Sequence, residues 1–530
     1  MKVASRPRAS RSGSRGLAKA SPAPLAAIDI GSTSARLEIA QAGPAGTLER
    51  LEHLVHPVSL GVDTFRLGYV TPATTRAACL VLRNFTRVLK QYQVAHYRAV
   101  TTSAIREATN KDIVVDRIRH ESGLQVEILD AVGEMRLTFQ TLRPFLTTYL
   151  ARSRAYTLVL DLGGGSTEMV LLHGADLVLV ATRRLGTARL FQSIISSDCE
   201  DAEALLESQV RNLVDSAQHL FRAYPVTECV VINPVLSRAL RNAKEARALK
   251  GGLVAGAGAV RRLAREAHGL SLDQARQRFG LQQAPAELLL PAALAVNRFL
   301  DHIKARRVWF PEVDLLSGLL HDQSRRLAGA DEEADTRDQV VRSTLSVGTK
   351  YHCDEAHARQ VARLAGQLFD GLAAFLDLAA RDRLLLEVAA LLHDIGSFVS
   401  ERAHHKHSAY LIRSAEIVGL RDEDLEIVSQ VARYHRKRHP APQHLEFAAL
   451  PVETRLRISK LAAVLRIADA LDRGHRQLVR RLEARLEPDV LRLRVEAREE
   501  PAVEAAALRL KGRLFEELTG MAVRLQRVRS

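Results

Sequence analysis

The sequence predicts two similar α/β halves facing a cleft, followed by a helical domain and a small α/β cap. Three observations point there. A strand that ends in Asp, a Gly/Ser/Thr turn and a second strand occur together twice, over Leu25–Ala40 and again from Tyr156. Asp29 and Asp161 take the same place in the two copies, about one domain's length apart. Between the copies strand and helix patterns alternate, which is the order of an α/β fold. Behind them, residues 343–480 read as consecutive helices rich in His and Asp.

Bulk composition narrows the function classes. A chain of 530 residues implies several domains. Its apolar fraction of 47% and charged fraction of 26% suit ordinary globular folding. The net charge of +15 favours a polyanionic partner: nucleic acid, a membrane surface or a polyphosphate. Four cysteines, Cys79, Cys199, Cys229 and Cys353, form no CxxC pair. That excludes a disulfide framework and a Cys-based zinc knuckle, and it suits a reducing, cytoplasmic setting. No apolar run has the length of a membrane span, so no membrane partner is expected. Residues 1–24 are basic, lack an apolar core and read as a disordered tail rather than a secretory signal.

Taken in order, the first half covers 25–150, with a helix over Thr74–Tyr92, a strand over Tyr97–Thr101, a helix over Asn110–Glu121 and a strand over Gln125–Leu129. The second half covers 151–326 and is expected to be mostly helical beyond Ala181. Residues 327–342 are acidic and lack an apolar stripe, so they read as a linker. The helical domain covers 343–480. The cap, 481–530, reads as strand, helix and short strand.

The two turns have the chemistry of phosphate loops. Asp29, Gly31, Ser32 and Thr33 form the first; Asp161, Gly163, Gly164, Gly165, Ser166 and Thr167 form the second. Glycines let successive backbone N–H groups form a nest for anionic oxygens, hydroxyls add donors, and the Asp places a metal ion or a water. The plain alternative, a hairpin with turn-forming Asp and Gly, stands for either loop alone.

As a pair, the loops resemble those of the superfamily of actin, the large heat-shock chaperones and the sugar kinases, with its tandem actin-like (ribonuclease H-like) domains. The strings AIDIGSTSARLEIA, LGVDTFRLGYVTP, AVTTSAIREATN, LVLDLGGGSTEMVLL and RRLGTARL are similar to those of the exopolyphosphatase/guanosine pentaphosphate phosphohydrolase (Ppx/GppA) family. The later string HHKHSAYLI…RYHRK matches that family's helical domain. The resemblance implies a phosphoanhydride hydrolase with Mg²⁺ in the cleft and Asp29 and Asp161 organising the ion or the water. Alignment on Arg136-Leu137 makes Glu134 the base, with Gly133 and Met135 departing from the family's Glu and Ala. It also raises Arg106 as a clamp for phosphate oxygens, with Arg183 and Arg184 as weaker candidates. A third Gly-rich turn of the family is replaced by Asn233-Pro234-Val235.

Helical spacing aims further ligands inward. His357, Val361, Leu364 and Leu368 form one stripe; Ile427, Val431 and His435 another; Leu461, Leu465 and Asp469 a third. His393-Asp394 closes an apolar helix. The set resembles the HD metal-phosphohydrolase signature. It implies His357, His393, Asp394 and Asp469 as ligands, with His407 and His435 for a second ion, for Mn²⁺, Fe²⁺ or Zn²⁺. A mutual hydrogen-bond network is the alternative. The basic run Arg433–His439 reads as a solvated face or a track for a phosphate chain. The leading expectation is an exopolyphosphatase acting on inorganic polyphosphate. Guanosine pentaphosphate is the other substrate, and a non-catalytic polyphosphate or nucleotide binder and an HD hydrolase with a merely binding first half are further readings. A homodimer is left open.

Overall fold

The computed structural model describes residues 23–43, 47–150, 155–174, 176–184, 186–195, 201–327, 332–415 and 417–528. The expected N-terminal tail lies almost wholly outside them.

The strands of the first half are β1 (Leu25–Ile30), β2 (Ser34–Ala42), β3 (Leu48–Pro57), β4 (His96–Thr101) and β5 (Val126–Ile128), in sheet order β3-β2-β1-β4-β5. β1 is buried along its whole length, as its apolar run, broken only by Asp29, requires of a central strand. The helix Pro72–Gln91 starts where Thr71 Oγ1 accepts the Thr74 N–H and Pro72 fills the first helical position. It buries Ala78, Cys79, Leu82, Phe85 and Leu89.

The second half repeats this plan. Its strands are β6 (Tyr156–Leu162), β7 (Thr167–His173), β8 (Asp176–Arg183), β9 (Val226–Ile232), β10 (Ala246–Leu249), β11 (Gly252–Gly256) and β12 (Arg307–Pro311). The order is β10-β11-β12-β9-β6-β7-β8. β1 pairs antiparallel with β2 and parallel with β4; β6 pairs antiparallel with β7 and parallel with β9. Beyond Ala181 the described residues of this half are mostly helical, as expected, but not wholly. Four strands lie there, and three of them, β10, β11 and β12, have only four or five residues, too short for alternation to show.

Two helices tie the halves together. Ala131–Tyr149 turns Met135, Leu142, Phe145 and Leu146 toward Val230, Val254 and Trp309 of the second sheet. Leu315–Leu327, though late in the chain, packs Leu315, Leu316, Leu319 and Leu320 on Leu25, Ala27 and Val100 of the first sheet. The two helices cross at Gly318, where a Cβ would lie 2.6 Å from the Leu137 carbonyl oxygen.

The C-terminal region has one apolar core shared by the helices Glu355–Leu376, Ala380–Leu392, Asp422–Arg433 and Val452–Ala470. A sheet of β13 (Val479–Glu487), β14 (Val490–Ala497) and β15 (Ala522–Val528) packs on it with the helices Ala502–Lys511 and Arg513–Thr519. The linker expected at 327–342 is corrected: a helix runs Glu332–Lys350. Its buried face mixes Val340 with the small polar Ser343 and Thr344, which leaves no apolar stripe to read. Ser343 Oγ accepts the Val418 N–H at 3.0 Å, and Ser346 Oγ donates to Val178 O of β8. Among the described residues no helix is long and apolar enough to cross a membrane.

Candidate active site

The two phosphate loops close in the same way. The Gly31 N–H donates to Ser34 O at 2.9 Å, and the Gly163 N–H donates to Ser166 O at 3.0 Å. In the second loop the carbonyls of Gly163 and Gly164 accept the N–H groups of Thr187, Ala188 and Arg189, the start of the helix Thr187–Ile195. Gly186 must be glycine for this, because a Cβ there would lie 2.4 Å from the Gly164 carbonyl carbon. The loops then meet across the cleft. A Cβ on Gly165 would strike Ser103 Oγ at 2.3 Å and Phe65 at 2.7 Å, and one on Gly164 would come within 3.3 Å of Ser32 Cβ. Ser32 Oγ lies 3.3 Å from Ser103 Oγ. Ser32, Ser166 and Thr167 are buried, and Thr33 accepts the Val58 N–H through its carbonyl at 3.0 Å.

The carboxylates divide into paired and unpaired. Asp29 Oδ2 accepts Arg36 Nη2 at 2.5 Å and Nε at 3.1 Å, while its buried Oδ1 has no hydrogen-bond partner among the described residues. Arg36 Nη1 reaches Asp314 Oδ2 at 3.3 Å. Burial would lower the Arg36 pKa, but Asp29 and Asp314 hold it above its usual value. Asp161 faces Glu168 in the β6–β7 register instead of a cation. Burial and then Glu134 push Asp161 up to about 7. Glu168 is pushed well above the carboxylate range by burial, Glu134 and Asp161. Its Oε1 is buried without a hydrogen-bond partner among the described residues.

Glu134 enters the cleft in the first turn of Ala131–Tyr149. Asp130 caps that helix, accepting the Gly133 N–H at 2.6 Å. A Cβ on Gly133 would sit 3.0 Å from the capping Asp130 Oδ1, so the small residue beside Glu134 fits the cap closely. Arg106 Nη1 donates to Leu129 O at 2.6 Å and to Glu134 Oε2 at 3.3 Å. Burial raises Glu134 above the ordinary carboxylate range, and Arg106 opposes this.

Arg183 donates to Thr182 O and Arg184 is exposed. Arg189, from the same string, joins the halves. Its Nε donates to Gly165 O at 3.1 Å, its Nη2 to Glu107 at 2.6 Å, and its guanidinium lies 4.2 Å from the Phe65 ring centroid. Asn233, in place of a third Gly-rich turn, caps the helix Pro234–Asn242 and donates to Leu162 O at 3.0 Å.

Glu134, Asp161, Glu168 and Asp29 thus put four buried or half-buried acids in one field, offset among the described residues by Arg36 and Arg106. Two orphaned oxygens and three raised acids fit a divalent cation. Among the described residues the cleft has no three acids within one ion's reach, which suits Mg²⁺ held by one or two carboxylates with water and phosphate oxygens. Glu168, Arg36 and Asp314 were not singled out from sequence. Arg36 and Glu168 each lie seven residues past their Asp, and the hairpin register was the signal that could have found them.

The helical half gathers a second cluster. The atoms of His357, His393 and Asp469 lie within 4.8 Å of one another, and so do those of Asp394, His404 and His435. His407 is corrected: it is half-buried and outside both groups, and His404, three residues earlier at the helix start, faces inward instead. Burial would raise Asp394, but His393, His404 and His435 hold it well below the carboxylate range. Burial keeps His435 neutral well below the usual imidazole value.

Residues 39–326 match the Ppx/GppA phosphatase family, and residues 340–511 match Ppx/GppA phosphatase, domain III. A Vibrio parahaemolyticus protein named guanosine-5'-triphosphate,3'-diphosphate pyrophosphatase is 22% identical over 91% of this chain and 94% of its own length. The protein of that name from Photobacterium profundum is 21% identical, covering 83% of this chain and 86% of its own. A crystal structure of an exopolyphosphatase from Cytophaga hutchinsonii superposes with a TM-score of 0.51 at 20% identity, over 58% of this chain and 99% of that one, which is a likeness of fold. With more than half its length matched to one family across the cleft just described, the chain belongs to the Ppx/GppA phosphatase family.

Proposed function

We propose that the cleft removes terminal orthophosphate from inorganic polyphosphate. The observation that carries this is the Glu134 carboxylate, half-buried at a helix start between two phosphate loops and held by Arg106. Water attacks the terminal phosphorus, the bond to the bridging oxygen breaks, and the water proton passes to Glu134. A base lifted above the ordinary carboxylate range keeps that proton better than a free Glu. The backbone of Gly31–Thr33 and Gly163–Thr167 binds the equatorial oxygens. Arg106 keeps Glu134 in place. One or two of Asp29, Asp161 and Glu168 would hold Mg²⁺, which when bound would neutralise phosphate charge.

Guanosine pentaphosphate is the second reading, supported by the names of relatives that span most of this chain. A purely binding role loses its motivation: Gly133 fits the helix cap, and Asn233 fills the place of the third loop. The test measures orthophosphate released with Mg²⁺ from long-chain polyphosphate and from guanosine pentaphosphate. Glu134→Gln is expected to slow release by about 10²–10⁴-fold with little change in binding. Near-normal turnover would remove Glu134 from the mechanism, and a strong preference for the nucleotide would replace polyphosphate as substrate.

A further inference from the structure

Arg36 meets Asp29 through one oxygen only. Its Nη2 and Nε, the two donors of one edge of the guanidinium, both reach Asp29 Oδ2, at 2.5 and 3.1 Å. An arginine beside a carboxylate gains most when it spreads two such donors over both oxygens. Here Asp29 Oδ1 is buried with no hydrogen-bond partner among the described residues. Leaving a buried carboxylate oxygen unfilled is costly, so the guanidinium must be held off it.

Asp314 is placed to do this. It stands between β12 of the second half and the helix Leu315–Leu327, which packs on the first sheet. Its Oδ1 accepts the Ser317 N–H at 3.0 Å and the Ser317 hydroxyl at 2.6 Å. Those two bonds fix the carboxylate and turn Oδ2 to Arg36 Nη1, at 3.3 Å. The guanidinium is thus clamped at opposite edges, by Asp29 Oδ2 on Nε and Nη2 and by Asp314 on Nη1. Released from Asp314, it would be able to swing until Nε and Nη2 took separate oxygens of Asp29, and Oδ1 would then be filled by the protein itself. The clamp lies within the cleft: Arg36 feels Glu134 as well as its two partners, and both Arg36 and Asp314 act on Asp161.

We propose that Asp314 is a positioning residue of the cleft, which draws Arg36 onto one oxygen of Asp29 and so keeps Asp29 Oδ1 open for the divalent ion. This rests on the reading of Asp29 as an ion ligand. Arg36 is then a competitor of the ion under restraint, and Asp314 acts only through Arg36.

The test titrates Mg²⁺ into the full chain by calorimetry, with orthophosphate present; Asp29→Asn shows how much of the binding belongs to Asp29. Asp314→Asn and Asp314→Ser are the variants of choice. Both residues cap a helix as well as Asp does, and neither keeps a second acceptor oxygen for Arg36. Circular dichroism melting checks that the helix cap stands. Mg²⁺ binding should weaken about 10–100-fold in both, because the ion must displace one charge-assisted hydrogen bond. The Mg²⁺ concentration for half-maximal orthophosphate release should rise by the same factor. Arg36→Met, with Arg36→Gln in its place if the first does not fold, should bind Mg²⁺ no more weakly than the parent. In that background Asp314→Asn should change the affinity by less than about twofold, since no guanidinium is left to swing. Parental Mg²⁺ affinity in Asp314→Asn and Asp314→Ser would make Asp314 a helix cap alone and overturn the proposal. So would equal losses from Asp314→Asn with and without Arg36, or loss of Mg²⁺ binding on removing Arg36. Mg²⁺ binding equal in the parent and Asp29→Asn would overturn the ion reading itself, and the proposal with it. The calorimetry needs no turnover, so each of these results is independent of whether release depends on Glu134.

Discussion

Seven residues past each loop aspartate, the two halves of the cleft make opposite choices. Arg36 faces Asp29, and Glu168 faces Asp161. The first half therefore buries an ion pair and the second a pair of acids. The sign for Asp161 follows from linkage. Its folded pKa, about 7, lies above the usual carboxylate value, so between those limits the folded chain holds the extra proton. Stability is fully present at low pH and falls as pH rises toward 7. Asp161→Asn should remove that loss: we expect a higher melting temperature than the parent at pH 8, a smaller gain at pH 5, and slower phosphate release. An unchanged melting temperature at both pH values would mean that Asp161 is not strained by its neighbours. Glu134, also raised, predicts that turnover climbs with pH as the base deprotonates, which a pH–rate profile of the parent checks. The loop residues were legible because glycines and hydroxyls cluster in sequence. Arg36 and Glu168 were hidden by a register that sequence leaves implicit, and Asp314 by its distance along the chain. His404 was missed because three histidines share one short helix, and spacing alone does not say which faces in.

Backbones approach closely at several glycines, and Gly186 and Gly318 each hold a pair of elements that bear on the cleft. At Gly186 a methyl group would meet Gly164 backbone atoms at 2.4–2.5 Å, and no side chain can rotate away to relieve it. Gly186→Ala should displace the second phosphate loop and abolish phosphate binding while the sheets stay folded. Retained binding, by calorimetry with orthophosphate, would show that the helix Thr187–Ile195 does not position the loop. At Gly318 the close approach is to Leu137, between the two helices that cross the halves. Gly318→Val should destabilise the chain by about 1–3 kcal/mol or more, as overpacking does, measured by denaturant unfolding. It should also slow catalysis, because Glu134 starts the helix that would shift. Elements with strong periodicity, such as the inward stripes of Glu355–Leu376 and Val452–Ala470, were legible from sequence. Short strands were not, because four or five residues carry little pattern. The helix Glu332–Lys350 was not either, because its buried face mixes Val340 with Ser343 and Thr344.

At the scale of the molecule, a net charge of +15 coexists with a cleft rich in buried acids. The positive field must therefore be carried by the outer surface, where it raises the local concentration of a polyanion. The acids inside are compensated by cations at short range, Arg36 and Arg106 in the cleft and Lys511 in the helical half. These two layers should respond differently to salt. Surface cations that bind a long chain displace its counterions, and their attraction is screened beyond about 8–10 Å at physiological ionic strength, whereas the buried ion pairs are screened little. Long polyphosphate should thus bind with an affinity that falls steeply and linearly on a log–log plot of salt. Each phosphate-binding Lys or Arg removed from the surface should reduce that slope by about 1, by analogy with nucleic acids. Arg438→Ala, on the exposed basic run, is the substitution of choice, because its side chain is free of both clusters. Orthophosphate, small enough to use only the buried groups, should show a much shallower slope. Equilibrium binding of both ligands across a salt series decides it: equal slopes for long and short ligands would mean that the surface charge serves some other partner.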